Sequence, residues 1–216
     1  MLNLTHRDSH AEPSSLQPDK VYPVRVQLND VAQSLPKGHR IRIAISSSYF
    51  PLAWPPPQSA QLKIHIGSSR LILPVRTPRE EYINFPDAEA SVSSQQRQLR
   101  EGHHNWRVIR ELDQDISTLE VINDNGLYQL EDIDLKVQRK TEEWYSYQGD
   151  DFSSAKGATL WMRSFERGDW QIKTITRTVL RCDENYFYLD AELDAYEAGK
   201  RVFSKNWNRR IRRKLV

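Results

Sequence analysis

Cysteine is almost absent from this chain of 216 residues. The single cysteine, Cys182, cannot form an internal disulfide, and a zinc site built from several cysteines is excluded. Such scarcity is typical of proteins in reducing compartments, so we expect a cytoplasmic location.

Glycine is sparse and scattered. The chain has 8 glycines, and no two of them are closer than eight residues. The dinucleotide-binding GxGxxG motif, the phosphate-binding P-loop and the GxSxG nucleophile elbow all need glycines a few residues apart. These three motifs are therefore excluded. We predict no catalytic residue and no cofactor for this chain.

Long apolar runs and a strong net charge are also missing. No run approaches the roughly 18 apolar residues of a membrane helix, and the first twenty residues lack the apolar stretch of a secretory signal. Lys and Arg number 31 and Asp and Glu 29, giving a net charge of +2. A generally basic nucleic-acid-binding surface is therefore excluded, and we expect neither nucleic-acid nor membrane partners.

Alternation of apolar and polar residues is the dominant pattern, and it predicts an all-β protein. In the N-terminal part it runs through Tyr22–Leu28, Ile41–Ile45, Leu62–Ile66 and Leu71–Val75. A turn at Gly67–Ser69 suggests a hairpin between the last two segments. Ile41, Ile43 and Ile45 are expected to be buried, with Arg40 and Arg42 facing solvent or a partner. Residues 51–57, PLAWPPP, predict a stiff loop because proline cannot donate to a strand ladder.

Residues 77–101 predict a linker, and alternation returns beyond it. Turns are predicted at Asn123–Gly126, Arg167–Asp169 and Cys182–Asn185, since Asn and Gly tolerate positive φ. The predicted strands are 103–112, 116–122, 126–131, 134–148, 158–166, 169–182 and 185–194.

The last segment, 200–216, contains eight Lys or Arg residues and no acid. Phe203, Trp207 and Ile211 recur every fourth residue, which fits either a short amphipathic helix or an extended segment docked on the body. Docking is favoured over nucleic-acid binding because these apolar groups need cover.

No group of residues in the sequence indicates a catalytic or metal-binding site. The histidine pairs and clustered carboxylates fit polar surface and turn positions, so we predict no metal site. The six tryptophans fit either packing between layers or a sugar-binding row, and packing is favoured. His39 fits a structural role in its turn. The residues retained as interface or structural candidates are His39, Arg40, Arg42, Phe50, Trp54 and Trp207.

Several stretches together resemble a known family. They are LPKGHRIRIAISSSYFPLAWPPP, which includes the most specific piece at 38–51, the preceding LNLTHRDSHAEPSSLQPDKVYPVRVQL, and the later HHNWRVIREL, WYSYQGDDFSSA and RGDWQIKTITRT. They are similar to the C-terminal region of X-prolyl dipeptidyl-peptidases and of cocaine-esterase-like serine hydrolases.

The resemblance implies a galactose-binding-like jelly-roll β-sandwich that packs on an α/β-hydrolase domain and helps shape its substrate pocket. The family's catalytic residues lie in that hydrolase domain, and none is carried over to this chain. We expect a jelly roll at 1–76 that lacks its first strands, a linker at 77–101, an antiparallel β extension at 102–199 and a basic segment at 200–216.

Two readings of the function stay open. In the first, this chain is the non-catalytic region of such a hydrolase, whose hydrolase domain is on a separate chain or lost, and it has no activity alone. In the second, it is a free-standing β-sandwich module that binds carbohydrate or another ligand. Self-association is also expected, because missing strands would leave unpaired edges.

Overall fold

The computed structural model describes residues 2–77 and 84–216. Within these ranges the regular structure is two 3₁₀ turns, Leu4–His6 and Glu131–Ile133, and eight β-strands. The strands are β1 (Gln96–Arg100), β2 (His103–Glu111), β3 (Ile116–Leu130), β4 (Leu135–Gln148), β5 (Asp151–Arg167), β6 (Trp170–Cys182), β7 (Tyr186–Glu197) and β8 (Lys200–Arg212).

The eight strands form one open antiparallel sheet in the order β1-β3-β4-β5-β6-β7-β8, with β2 also pairing with β3. The predicted all-β class is confirmed, and an open antiparallel sheet is consistent with a β-sandwich. The turns at Arg167–Asp169 and Cys182–Asn185 lie where they were predicted. β1 lies inside the range assigned to the linker, of which residues 78–83 are outside the described residues.

The predicted turn at Asn123–Gly126 is wrong, because β3 runs straight through it. Asp124 pairs with Lys140 and Leu127 with Gln138, so one extra residue is accommodated in a β-bulge. Gly126 has φ +73°, and a Cβ there would overlap the carbonyl oxygen of Arg100. A bulge and a tight turn both call for glycine at positive φ, which explains why the pattern was ambiguous.

The bulge also marks the change of neighbour along one side of β3. Residues before it pair with β2, and residues after it pair with β1. The Asp124 carboxylate accepts hydrogen bonds from the Gly126 amide at 2.8 Å and from the Arg100 guanidinium at 3.0 Å. Burial opposes ionisation of Asp124, but these two hydrogen bonds outweigh it and hold its pKa below the ordinary value.

The described residues before β1 contain no strand. The expectation that Ile41, Ile43 and Ile45 are buried is wrong: they are 51%, 57% and 61% exposed. The physical reason is that no neighbouring strand pairs with this part of the chain and no second layer covers it among the described residues. The turn after His65 does form, with the amides of Ser68 and Ser69 donating to the His65 carbonyl, but without the hairpin strands around it.

The described residues enclose very little core. Ala155 and Cys182 are the two buried hydrophobic residues there, and the accessible surface of the chain is 17937 Å². A compact monomer of this mass would expose about 10,300 Å² by the usual scaling of surface with mass. Most of the exposed large hydrophobic side chains lie before β1, so much of the excess belongs to the part of the chain that has no strand.

Candidate interaction surface of the sheet

The sheet has two chemically different faces, because side chains alternate along each strand and strand partners share a face. One face, called here the polar face, is covered with cross-strand ion pairs. Arg107 lies 2.7 Å from Glu120 and Arg181 lies 2.7 Å from Asp190. The Trp144 indole N–H donates to Glu120 at 3.1 Å.

These contacts stabilise the charges of the polar face within the sheet itself. The hydrogen bond from the Arg107 guanidinium, followed by that from the Trp144 indole, holds the pKa of Glu120 below its ordinary value. Charges at the centre of the polar face are therefore paired within the sheet, beside apolar side chains such as Ile122 and Leu160 that share this face by register.

The opposite face, called here the apolar face, collects the large hydrophobic side chains of seven strands. By register it carries Trp106, Val108, Leu119, Val121, Val137, Trp161, Phe165, Leu180, Phe187, Leu189, Leu193, Phe203, Trp207 and Ile211. Trp106 and Val108 on β2 are 75% and 73% exposed, and Phe203 and Ile211 on β8 are also exposed. The exposed apolar side chains thus lie at the two edges of this face, and the large apolar side chains between them are half-buried.

One end of the apolar face is covered by the proline-rich loop at 50–57. Trp54 packs edge-on against Phe187 with ring centroids 5.8 Å apart, and its indole N–H donates to the Cys182 sulfur at 3.0 Å. Phe50 packs edge-on against Trp54 at 5.5 Å and against Tyr145 at 6.2 Å. The aromatic residues of this loop thus seal the face locally and join the N-terminal part of the chain to the sheet.

Arg213 holds the loop at 50–57 in place through hydrogen bonds. Its guanidinium is buried, with 5% of the residue exposed, and donates to the Pro55 carbonyl at 2.6 Å and the Asp183 carbonyl at 2.9 Å. It also lies 4.8 Å from the centre of the Phe187 ring. Burial lowers the pKa of Arg213, while the charges of Cys182 and Asp183 act in the opposite direction.

The N-terminal 3₁₀ turn makes a second attachment. The Thr5 hydroxyl donates to the Leu215 carbonyl at 2.8 Å, and the His6 ring lies 3.0 Å from the Lys214 carbonyl. The segment after β8 therefore holds both the start of the chain and the loop at 50–57.

Tyr145 is the titratable group that this packing changes most clearly. Desolvation beneath Phe50, together with a 2.8 Å hydrogen bond from its hydroxyl to Glu143, raises the pKa of Tyr145 to about 12. A phenol held neutral in this way suits a packed site and offers no base near neutral pH.

The tryptophans divide between the two faces. Trp106, Trp161, Trp170 and Trp207 share the apolar face, whereas Trp144 lies on the polar face. Trp106 and Trp207 lie in one register row through Val121, Glu143, Thr159, Thr178 and Ala191. The guanidinium groups of Arg139 and Arg163 lie 5.7 and 5.8 Å from the Trp161 ring.

The structure brings two of the six candidate residues together. Phe50 and Trp54 meet in the loop on the sheet, while Trp207 lies on β8 of the apolar face. His39, Arg40 and Arg42 are exposed, and the His39 backbone N–H donates to the Pro36 carbonyl at 3.1 Å in a turn.

Sequence reasoning did not single out Tyr145 or Arg213 as partners of the loop. Their roles depend on contacts across 95 to 158 residues of chain, which no local pattern encodes. Cys182 was predicted at a turn, but its place at the end of the predicted strand 169–182 was a usable signal of burial.

No group of His, Cys, Asp and Glu in residues 2–77 and 84–216 is arranged to hold a metal ion. The described part of the chain also has no helix long and apolar enough to cross a membrane.

The fold and the surface together define an all-β protein whose open sheet has one face with cross-strand ion pairs and one face that collects many large apolar side chains. The family model for the X-Pro dipeptidyl-peptidase C-terminal non-catalytic domain matches residues 1–109, and the chain belongs to this family. No significant match was found among curated proteins or among solved structures. By its description the family is a domain that accompanies a catalytic domain, and the predicted resemblance is confirmed.

Proposed function

We propose that this chain packs on the α/β-hydrolase domain of an X-Pro dipeptidyl-peptidase and helps to shape its substrate pocket. The observation that carries the proposal is the apolar face, whose large side chains are half-buried or exposed, beside a polar face with cross-strand ion pairs at its centre. A protein of this family has a catalytic partner as its natural neighbour. The partner is either a separate chain or a domain joined to this one.

The energetics favour a large interface. Full burial of a Val, Ile or Phe side chain contributes roughly 1.5–3 kcal/mol, and Val108, Phe203 and Ile211 are all exposed. Permanent interfaces commonly bury about 2,000–5,000 Å² and resemble a divided core.

The same proposal gives a role to the alternating segments before β1. Residues 1–76 adopt the jelly-roll strands of the family when they pack against the catalytic domain, because pairing partners then lie alongside Ile41–Ile45. Phe50 and Trp54 anchor this part to the sheet, and the exposed His39, Arg40 and Arg42 extend toward the substrate pocket. The lone buried thiol of Cys182 suits the reducing cytoplasm that we propose as its location.

The test combines this chain with the hydrolase domain of an X-Pro dipeptidyl-peptidase made as a separate polypeptide. Light scattering after size exclusion is expected to show a one-to-one complex. Turnover of an X-Pro anilide by the complex is expected to have a lower KM than that of the hydrolase domain alone. The isolated chain is expected to give no turnover.

A pair of neighbouring substitutions supplies the matched control. Val108 pairs with Leu119 on the apolar face, and Ile109 pairs with Thr118 on the polar face. Val108→Gln is expected to weaken the complex about tenfold, whereas Ile109→Gln leaves it within about twofold, because apolar burial is lost on one face alone. Absence of a complex, or equal effects of the two substitutions, would refute the proposal.

The arrangement of tryptophans favours one second candidate, a module that binds carbohydrate. Trp106, Trp161 and Trp207 lie on one face, and flat aromatic rows stack against sugar rings as they do against bases. Tryptophan fluorescence during titration with oligosaccharides tests it. A saturable change that Trp106→Ala abolishes would favour this function over packing on a hydrolase domain.

A further inference from the structure

Strand β8 forms an open edge of the sheet. It is the last strand in the order, pairs with β7, and has 12 exposed residues among its 13. At such an edge the N–H and C=O groups of every second residue have no ladder partner, and they are available to a further strand.

The charge of this edge has one sign. β8 carries Lys200, Arg201, Lys205, Arg209, Arg210 and Arg212, and it carries no acid. The carboxylates of β7 are already engaged by β6, since Arg181 lies 2.7 Å from Asp190 and Arg177 lies 3.8 Å from Asp194. Within the described residues, Arg201 is the β8 cation that reaches a carboxylate, at 3.6 Å from Asp194.

The opposite edge of the sheet differs. The arginines of β2 are neutralised within the sheet, Arg107 by Glu120 and Arg110 by Asp115. That edge is also divided between β2 and the short β1, with a register shift in β1 between Gln98 and Arg100. A long edge formed by one strand, with a single register shift opposite Ala195 and Tyr196 and with positive charge that mostly has no carboxylate within ion-pair distance, is therefore a property of β8.

We propose that the β8 edge binds an extended acidic segment of another protein, which adds to the sheet as a further strand. Backbone hydrogen bonds supply the pairing, and the lysines and arginines select carboxylates. Lys205 and Arg209 lie on the apolar side of β8, and Arg210 and Arg212 lie on the polar side. The segment that fits best therefore has Asp or Glu side chains on both sides and no proline.

A second copy of this chain is a poor occupant of the same edge. Two β8 strands paired with each other would place six cations against six, and like charges on opposing strands are destabilising. A nucleic acid would satisfy the cations but would leave the unpaired backbone groups without partners. This inference concerns the edge and does not depend on the proposed packing of the apolar face.

The test uses the full chain and labelled peptides of about twelve residues, long enough to span β8 at about 3.4 Å per residue. In the first peptide Glu alternates with Thr and Val. Two adjacent Glu residues at its centre place carboxylates on both sides of the strand. The second replaces Glu by Lys, the third keeps the charge but carries two prolines, and a single-stranded oligonucleotide is the fourth probe. Fluorescence anisotropy measures binding, and amide hydrogen exchange locates it.

The acidic peptide is expected to bind and to slow the exchange of amides within Lys200–Arg212. Its binding is expected to weaken as the salt concentration rises. The Lys peptide and the proline peptide are expected to bind at least about tenfold more weakly, because each lacks one of the two interactions. The double variant Arg209→Gln/Arg212→Gln is expected to bind the acidic peptide about fivefold more weakly. The control Lys37→Gln/Arg70→Gln removes the same charge from exposed positions away from the sheet and is expected to change little.

Four results would overturn the proposal. They are no binding of the acidic peptide, equal binding of the proline peptide, tighter binding of the oligonucleotide than of any peptide, and equal effects of the two double variants. A change of oligomeric state in the β8 variant would instead assign the edge to a second copy. None of these results requires the hydrolase domain, so they are separate from failure of the proposed function.

Discussion

The two parts of this chain use the same sequence pattern with different results. Residues 22–28 and 41–45 alternate apolar and polar side chains as regularly as β6 and β7 do, yet β6 and β7 are paired and the earlier segments are not. A strand is stable only with a neighbour that completes its hydrogen bonds and a layer that covers its apolar side. The family match at 1–109 covers mainly the unpaired part. Alternation therefore indicates which residues can become strands, and the surroundings decide whether they do.

The sharpest test of this difference is amide hydrogen exchange in the isolated chain. Amides in the central strands β4, β5 and β6 are expected to exchange at least about a thousandfold more slowly than those of Arg40–Ile45, because only the former need the sheet to open. Mass spectrometry of peptic fragments over time measures both regions in one sample. Equal protection of the two regions would show that the N-terminal segments are paired in solution, and it would contradict the difference between the two regions.

A smaller but still large effect is expected from the bulge in β3. Gly126→Ala adds a Cβ that overlaps the Arg100 carbonyl at positive φ, so we expect a loss of about 2–4 kcal/mol in the free energy of unfolding. The matched control is Gly168→Ala, which has φ +54° but no atom within 4 Å of the new Cβ. It is expected to cost about 1 kcal/mol, the price of the backbone conformation alone. Urea unfolding measures both, and equal losses would contradict the bulge geometry.

The join between the two regions depends on Trp54. Trp54→Ala removes the contacts with Phe187 and Cys182 and is expected to cost about 2 kcal/mol, less than a fully buried tryptophan. Trp170→Ala, at an exposed turn of the sheet, is the control and is expected to cost less than about 0.5 kcal/mol. Thermal unfolding followed by circular dichroism compares them. If Trp54→Ala left stability unchanged, the loop would not be anchored as described.

The smallest expected effect is on the ionisation of Tyr145, which lies at the end of the apolar face that the loop at 50–57 covers. The pKa of Tyr145 is raised to about 12, so the neutral phenol stabilises the fold below pH 10, and this contribution is lost as the pH rises through about 12. The hydrogen bond to Asp183 also raises the pKa of Tyr188. Absorbance at 295 nm during alkaline titration is therefore expected to show two tyrosines ionising late, and Tyr145→Phe is expected to remove one of the two. Late ionisation of two tyrosines in this variant would assign the shift to another tyrosine.

The sequence predicted the second half of the fold well because each strand there has its neighbour next to it in the chain. Successive hairpins put β4 to β7 together through turns such as Arg167–Asp169, and local patterns are sufficient for that arrangement. The edge strand β8 was less clear, since its charges obscure the alternation. The β-bulge at Gly126 was predicted as a turn because bulges and turns use the same glycine conformation.

The candidate surface was predictable only in part. Phe50 and Trp54 were among the interface or structural candidates, and the structure brings them together on the sheet. Their partners Tyr145 and Arg213 could not be identified, because contacts between distant strands depend on topology. The apolar face became visible only once the register showed that Trp106, Trp161 and Trp207 share one side.

The most direct test of the central claim, that the apolar face is a packing surface for a catalytic domain, is a hydroxyl-radical footprint of the tryptophans. Trp106 lies on that face and is exposed in the isolated chain, and Trp144 lies on the polar face. Addition of the separately made hydrolase domain of an X-Pro dipeptidyl-peptidase is expected to reduce oxidation of Trp106 at least about fivefold and to leave oxidation of Trp144 nearly unchanged. Unchanged oxidation of Trp106 in a sample where the complex has formed would contradict the claim, because the catalytic domain would then bind elsewhere.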